Sequence, residues 1–479
     1  MSRGARPAGL AGRVGAAVAA ALAASAASAG AAEPVGAPLP HVVIAPAAWQ
    51  EALAPYLAHR AGSPQNDGVV FASIESITAA TPGRDAPERL KRWLHERWRR
   101  GGVGTCLLVG DADVCPVRFM VLDRGTPAAA NWAFYPCDLY YADLAREDGS
   151  FDDWNADREG FHEGYLGEVH GETLKDGVIN HDGVSYAPEI AVGRWPVSTP
   201  EEAAAVAAKT VAWERALAAS AGGPPRVAIF GVGGWVDVRP RLRRMAETLA
   251  PAASVQLRIH DDPATPAPDG AAMAAELSAG ARVILHSGHG QPWGWEGCLD
   301  QAVVDAAAQP ASAEPILFSA GCSTAEWCTQ PPYQPYTDAD GAEHRGTNAG
   351  EVFSAPPPPP VCLQHGAANT SSLSEHLLRR PRGGAIAVIG CDTGSQPCAV
   401  TLLEGFAAAM AELAARPGPP PTVGQAWCAA LRHYVRAERL MELRPTPDWY
   451  PPSVFFQGMK FVLLGDPALP LPLPRPPAP

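Results

Sequence analysis

Basic residues are scarce along this chain: 37 Lys and Arg stand against 50 Asp and Glu, a formal net charge of −13. No acidic residue precedes Glu33, so loss of a leader carrying Arg3, Arg6 and Arg13 takes the balance to −16. Such a surface repels nucleic acid and anionic lipid and excludes both as partners. The basic cluster from Arg89 to Arg100 does not reverse this, because Leu90, Trp93, Leu94 and Trp98 share one helical face and the charges fill the solvated one. Cysteine is also sparse, since ten in 479 residues is far from a disulfide scaffold. If Cys322 is a reactive thiol, nine remain, so at least one has no partner within the chain; the pairing of the others is not readable. Past the N-terminus no run approaches the ~18 consecutive apolar residues of a membrane span, which argues against membrane insertion. No repeat at solenoid spacing occurs. The Gly231-x-Gly233-Gly234 turn lacks the full G-x-G-x-x-G spacing, and no ribose-binding acid follows at ~20 residues, which excludes a dinucleotide site.

What is present begins with a secretory pattern. Three arginines, an apolar run from Val14 to Ala24 and the small-x-small sites Ala27-Ser28-Ala29 and Ala29-Gly30-Ala31 make residues 1–32 a signal peptide. The expected location is secreted, periplasmic or in the cell envelope. With 47% hydrophobic and 18% charged residues, the rest can fold, and its length suits two α/β lobes. Residues 33–218 form the first lobe, 219–225 an Ala/Gly/Pro linker, 226–470 the second lobe and 471–479 a proline-rich tail.

Within the first lobe, His41 to Ala45, Val69 to Ile74, Gly104 to Val109 and Glu189 to Arg194 read as buried strands. Asp85-Ala86-Pro87-Glu88 opens one helix. Thr199-Pro200-Glu201-Glu202 opens another, with Thr199 as cap and Glu202 completing a capping box. In the second lobe the strands are Val227 to Phe230, Arg282 to His286, Pro315 to Ser319 and Gly384 to Gly390. Helices are expected at Arg239 to Leu249, Ala271 to Ala279, Leu373 to Arg380 and Leu402 to Ala414. Strand and helix in alternation predict mainly parallel sheets flanked by helices. Residues 329–372, with five prolines from Pro356 to Pro360, are expected to form a surface loop with a polyproline segment.

Two strand ends carry chemistry. Val283 to Ser287 delivers Gly288-His289-Gly290, and thirty-three residues beyond the histidine Ile316 to Ser319 delivers Ala320-Gly321-Cys322. Neighbouring parallel strands that end in imidazole and thiol can set them within reach, at the edge where open α/β sheets place their sites. The histidine would hold the thiol as thiolate and later protonate a leaving amine. The N–H groups of Gly290 and Cys322 would form an oxyanion hole. Taken singly, a cysteine after an apolar strand is a small buried hydrophobe and a His-Gly turn is a turn; the matched contexts favour catalysis. His286 with His289 makes a poor metal pair, because a strand end carries them and no further ligand completes a shell.

These blocks resemble the histidine and cysteine blocks of the gingipain family of cysteine peptidases, relatives of caspases and legumains. Leu107 to Asp111, Pro188 to Arg194, Gly383 to Gly390 and Leu464 to Leu469 resemble further family signatures in the same order. The resemblance implies a caspase-like α/β fold with a noncatalytic first lobe and a catalytic second one. It implies an endopeptidase with His289 and Cys322 as dyad, protein or peptide as substrate and no required cofactor; oligomeric state is left open. Family members carry an acidic residue after the first catalytic-lobe strand to orient the histidine. Here Phe230 to Trp235 offers none, so the third member is either absent, with the dyad working alone, or displaced to Asp237. The acidic floor of the family's basic-residue pocket cannot be placed in the sequence, so basic specificity is not carried over. A catalytically silent relative that binds peptide in the inherited cleft is the alternative, and hydrolysis is not separable from transpeptidation. Finally, Asp153-x-Asn155-x-Asp157 resembles the start of a calcium loop, although Arg158 stands where such loops need Gly and Gly164 where they need Glu. The ion would be a structural calcium.

Overall fold

The computed structural model describes residues 38–121, 134–156, 164–166, 179–180, 182–220, 223–355, 357–365, 372–444, 452–455 and 457–474. The expected leader, Asp157 and part of the linker lie outside them. Ten strands of the described chain form one sheet, numbered here in chain order: β1 His41–Ala45, β2 Val69–Ser73, β3 Thr105–Val109, β4 Ala191–Trp195, β5 Arg226–Gly231, β6 Ser254–Ile259, β7 Val283–Ser287, β8 Ile316–Ser319, β9 Ala387–Cys391 and β10 Phe461–Leu464. Their order is β2-β1-β3-β4-β10-β9-β8-β7-β5-β6. All neighbours run parallel except β9 and β10, which pair antiparallel with Val388 opposite Leu464 and Cys391 opposite Phe461. The two mainly parallel sheets expected for two lobes are thus fused edge to edge, pointing in opposite directions. The last strand of the chain completes the first half.

Period-two alternation explains how this sheet is held. Val42, Ile44, Cys106, Leu108, Ile229, Leu285, Phe318 and Ile389 belong to one core, and Val43, Ala45, Leu107, Val109, Phe230, Ile284, Leu317 and Val388 to the other, so both faces are apolar along their length. The helices Ala86–Trp98, Arg239–Leu249, Val400–Ala414 and Val423–Ala437 cover the first face with residues such as Leu90, Leu242 and Phe406. Gln50–Ala61, Pro200–Ala219, Gly270–Ser278 and Leu373–Arg379 cover the second with Leu53, Val206, Met273 and Leu377. The segment Pro397–Ala414 is long and apolar enough to cross a membrane by composition, but Glu404 and Glu412 interrupt it and its apolar side packs on the sheet around Phe318.

The seam between the halves needs a close backbone approach. A Cβ at Gly193 would overlap the Gly465 carbonyl, so glycine is required there. Beside the seam, Asp466 accepts from Tyr56 at 2.5 Å and from Arg60 Nε at 2.9 Å, both on the helix after β1. A second tie runs from β4 into the second half: Arg194 pairs with Asp138 at 2.7 Å, donates to the Gly110 carbonyl at 2.9 Å and lies 4.3 Å over the Trp327 ring.

Several local expectations change. Ile74 starts the helix Ile74–Ala80 instead of ending β2, because Ser73 caps the Ser76 N–H. Thr199 does cap its helix, but Glu202 reaches back to the Ser198 N–H and not to that of the cap residue, so the capping box is incomplete. The 329–372 insertion is more than a surface loop. It carries a short hairpin pairing Tyr336–Thr337 with Glu343–His344, and it docks on the first half through bonds from Val117 N–H to the Cys362 carbonyl and from Gln364 N–H to that of Ala112. The proline carbonyls are used inside the fold, since Tyr165 donates to that of Pro357 at 2.7 Å and Tyr336 to that of Pro358 at 2.9 Å. All ten cysteines are free thiols.

Candidate active site

The order of β5, β6 and β7 sets where a site can open. From β5 the chain steps outward to β6, then crosses back to β7 on the other side of β5, and continues away through β8 and β9. That reversal leaves a crevice at the C-terminal ends of β5 and β7, the usual ligand position in an open α/β sheet. Loop 232–238 forms one wall and Gly288 to Gly290 the other.

In the β7–β8 register His286 faces Ser319, so His289 and Cys322 each lie three residues beyond a paired position. The two turns pack backbone to backbone. A Cβ at Gly290 would stand 2.7 Å from the Cys322 carbonyl and overlap Thr324, and one at Gly321 would stand 3.0 Å from both the Gly288 carbonyl and the Gly290 nitrogen. Glycine at 290 and 321 is what lets these turns meet. His289 and Cys322 line one cavity of about 60 Å³ together with Trp235, Val236, Gln396 and Pro397. Trp235, 70% exposed, meets the His289 ring edge-on at 5.8 Å.

Beneath the turns, the groups are fixed. His286 Nδ1 lies 2.8 Å from Ser319 Oγ, and its ring stacks on Trp295 at 4.6 Å. Burial, aided by the nearby His289, pushes its imidazole down to about 3, which keeps it neutral. Ser323, next to Cys322, has φ +50° and bonds the Thr393 carbonyl at 2.7 Å. A left-handed serine is a strained position, and here it turns the chain sharply behind the thiol.

The structure adds a third loop that sequence reasoning missed, the one after β9. The Ser395 N–H donates to Cys322 Sγ at 3.3 Å, and the Cys322 thiol donates to the Ser395 carbonyl at 3.6 Å, so this loop fixes the sulfur from both backbone groups. Ser395 is held by its hydroxyl on the Ala320 carbonyl at 2.8 Å, and Lys460 binds the Gly394 carbonyl at 2.9 Å. The available signal was the apolar block ending at Gly390, a third strand end beside those of β7 and β8.

Asp237 does not serve the imidazole as the sequence reading expected. Its Oδ1 accepts from Arg239 N–H at 3.1 Å and from Nε at 2.8 Å, while Oδ2 accepts from Nη2 at 3.0 Å. Those bonds hold its carboxyl below the usual range. It does line a second, larger cavity of about 770 Å³ on the other side of Trp235, which His289 and Glu296 also border. Of the calcium residues, Asp153 accepts from the Asn155 N–H at 3.1 Å and Asn155 donates to the Tyr165 carbonyl at 2.9 Å. Among the described residues no group of three or more His, Cys, Asp or Glu is arranged to hold a metal.

A thiol and an imidazole brought by adjacent strand ends into one cavity are the parts of a cysteine peptidase. The chain belongs to peptidase family C25, the gingipain family, which it matches over residues 37–472. The crystal structure of the Arg specific cysteine proteinase gingipain R (RgpB) is similar with TM-score 0.56 at 10% identity, over 91% of this chain and 78% of that one. The complex of Porphyromonas gingivalis RgpB pro- and mature domains is similar with TM-score 0.54 at 12% identity, over 90% and 79%. A further structure described as a protease gives TM-score 0.54 at 15% identity, over 90% and 78%. No curated protein matches the sequence. At such identity the structures establish the caspase-like α/β fold, and the family places the chain among cysteine peptidases with protein as substrate class.

Proposed function

We propose that this chain is an exported endopeptidase that cleaves peptide bonds through a thiol acyl-enzyme, with Cys322 as nucleophile and His289 as general base and acid. The observation that carries this is the equal three-residue offset of both residues from the paired ends of β7 and β8, with Gly290 and Gly321 letting the turns touch. Cys322 attacks the carbonyl carbon, and the Gly290 and Cys322 N–H groups receive the negative oxygen. Protonated His289 then gives its proton to the leaving amine, and water activated by the same ring releases the acid.

The cavity beside Cys322 supports an uncharged side chain next to the scissile bond, because Gly233, Gly234, Trp235, Val236, Pro397 and Val400 line it and, among the described residues, no Asp or Glu does. Specificity for arginine, as in gingipain R, is therefore not carried over. A calcium role for Asp153, Asn155 and Asp157 is a separate proposal taken up with the predictions. The test of function is a fluorogenic peptide library turned over by the mature chain in reductant, beside Cys322→Ala. Cleavage that the substitution abolishes, strongest with apolar residues before the bond, is expected. Equal turnover by both proteins would sink the nucleophile assignment, and peptide binding without turnover would favour the silent relative.

A further inference from the structure

With both Asp237 oxygens engaged by Arg239, the imidazole of His289 needs another carboxylate if it is to be oriented. The hairpin that follows it supplies one. Gly290–Gln291 pairs antiparallel with Gly294–Trp295, Gly290 opposite Trp295, and the Glu296 N–H donates to the His289 carbonyl at 3.1 Å. His289 and Glu296 are therefore directly opposed, and opposed residues of an antiparallel pair share a face with Cβ atoms about 4.5–5.5 Å apart. Alternation settles which face. Trp295 is buried against His286, so its neighbour Glu296 turns outward, to the side of the 770 Å³ cavity that His289 also lines.

The remaining titratable and charged groups on that cavity are Asp237, Arg239, His260, Asp261 and Asp269, with His286 behind the ring. Most are committed elsewhere. Asp237 holds Arg239, His260 lies 3.2 Å from Asp261, and Asp269 caps the Ala272 N–H at 2.8 Å. Among the described residues the Glu296 carboxylate has no protein partner, and it is the carboxylate that the backbone register sets against His289.

We infer that Glu296 is the positioning residue for His289, holding the imidazole toward Cys322, in place of Asp237, the acid of the loop after β5 that Arg239 engages. The inference rests on the peptidase reading. It differs from the expectation for Asp237 in a checkable way, since an anion beside the ring extends the pH range over which the thiolate and imidazolium coexist.

The experiment measures the pH profile of kcat/KM and of Cys322 alkylation by iodoacetamide for the native chain, Glu296→Gln, Glu296→Asp and Asp237→Asn. The alkaline limb, where the imidazolium loses its proton, should move down by about half a unit or more in E296Q, with kcat reduced more than KM is raised, and E296D should restore most of it. An active native enzyme whose alkaline limb is unchanged in E296Q overturns the proposal. So does a shift seen in D237N and not in E296Q. A native chain that neither cleaves peptide nor alkylates faster at Cys322 than a free thiol overturns the peptidase reading itself, and this inference with it.

Discussion

Replacing Glu326 by glutamine isolates one buried charge under the nucleophile loop. Glu326 lies four residues beyond Cys322 and is 5% exposed, and burial pushes its carboxyl up to about 7 against hydrogen bonds from Ser323 and Gln334 that pull it down. In an unfolded chain the same group titrates near 4.5. A carboxyl with a raised folded value binds its proton more tightly in the native state, so its stabilisation is complete below the unfolded value and is lost as pH rises through the folded one. Two and a half units at about 1.36 kcal/mol each amount to roughly 3 kcal/mol lost between about pH 4.5 and pH 8. Glutamine has no such titration. Urea unfolding from pH 5 to pH 9 should show the stability of Glu326→Gln, relative to the native chain, rising by about 3 kcal/mol, most of it before pH 8. Taking the difference cancels buried acids that Glu326 does not reach, such as Glu375, whose carboxyl burial pushes to about 8; Asp392, which the Glu326 charge raises further, adds to the difference. A difference that stays flat across this range would refute the reasoning and place Glu326 in water.

Other outcomes follow from single contacts. Gly290→Ala forces a methyl against Thr324 and the Cys322 carbonyl, so kcat/KM should fall by about 10²-fold with a stability loss of about 1–3 kcal/mol; unchanged turnover would remove Gly290 from the site. Arg194→Met leaves Asp138 buried without its cation and should cost about 3–5 kcal/mol in urea unfolding, a value that a loss under about 1 kcal/mol would contradict. A structural calcium at Asp153, Asn155 and Asp157 predicts a Tm that EGTA lowers and added calcium restores; a Tm indifferent to chelator would drop the calcium loop.

Much of this was legible in the sequence because local patterns govern it. Buried strands read as short apolar runs, and Arg239–Leu249 has the predicted bounds because Pro240 near its start and an amphipathic stripe leave little freedom. The edge strand Ser254–Ile259 was missed because it has no continuous apolar run like the others; its signal is the alternation Val255-Gln256-Leu257-Arg258-Ile259 of a half-exposed strand. Nor was β10, whose partners β4 and β9 lie far back in the chain. Within the site, His289 and Cys322 stood out because each ends an apolar strand. Ser395 acts through its backbone N–H, which leaves no mark on residue type, and Glu296 depends on hairpin register, which a two-residue turn at Pro292-Trp293 does not announce. Asp237 was near enough in sequence, but an arginine two residues on takes its carboxylate.

The most direct test of the central claim is to alkylate the nucleophile with a substrate-shaped reagent, whose carboxylate leaves as the sulfur–carbon bond forms. A peptidyl acyloxymethyl ketone with an apolar residue at its reactive end is incubated with the native chain, with Cys322→Ala and with His289→Ala, and the modified residue is located by mass spectrometry. The account predicts one adduct per native chain on Cys322, none on the alanine variant, and labelling slowed by at least about 10²-fold without His289. Labelling of a different cysteine, or of Cys322 at an equal rate without His289, would contradict it.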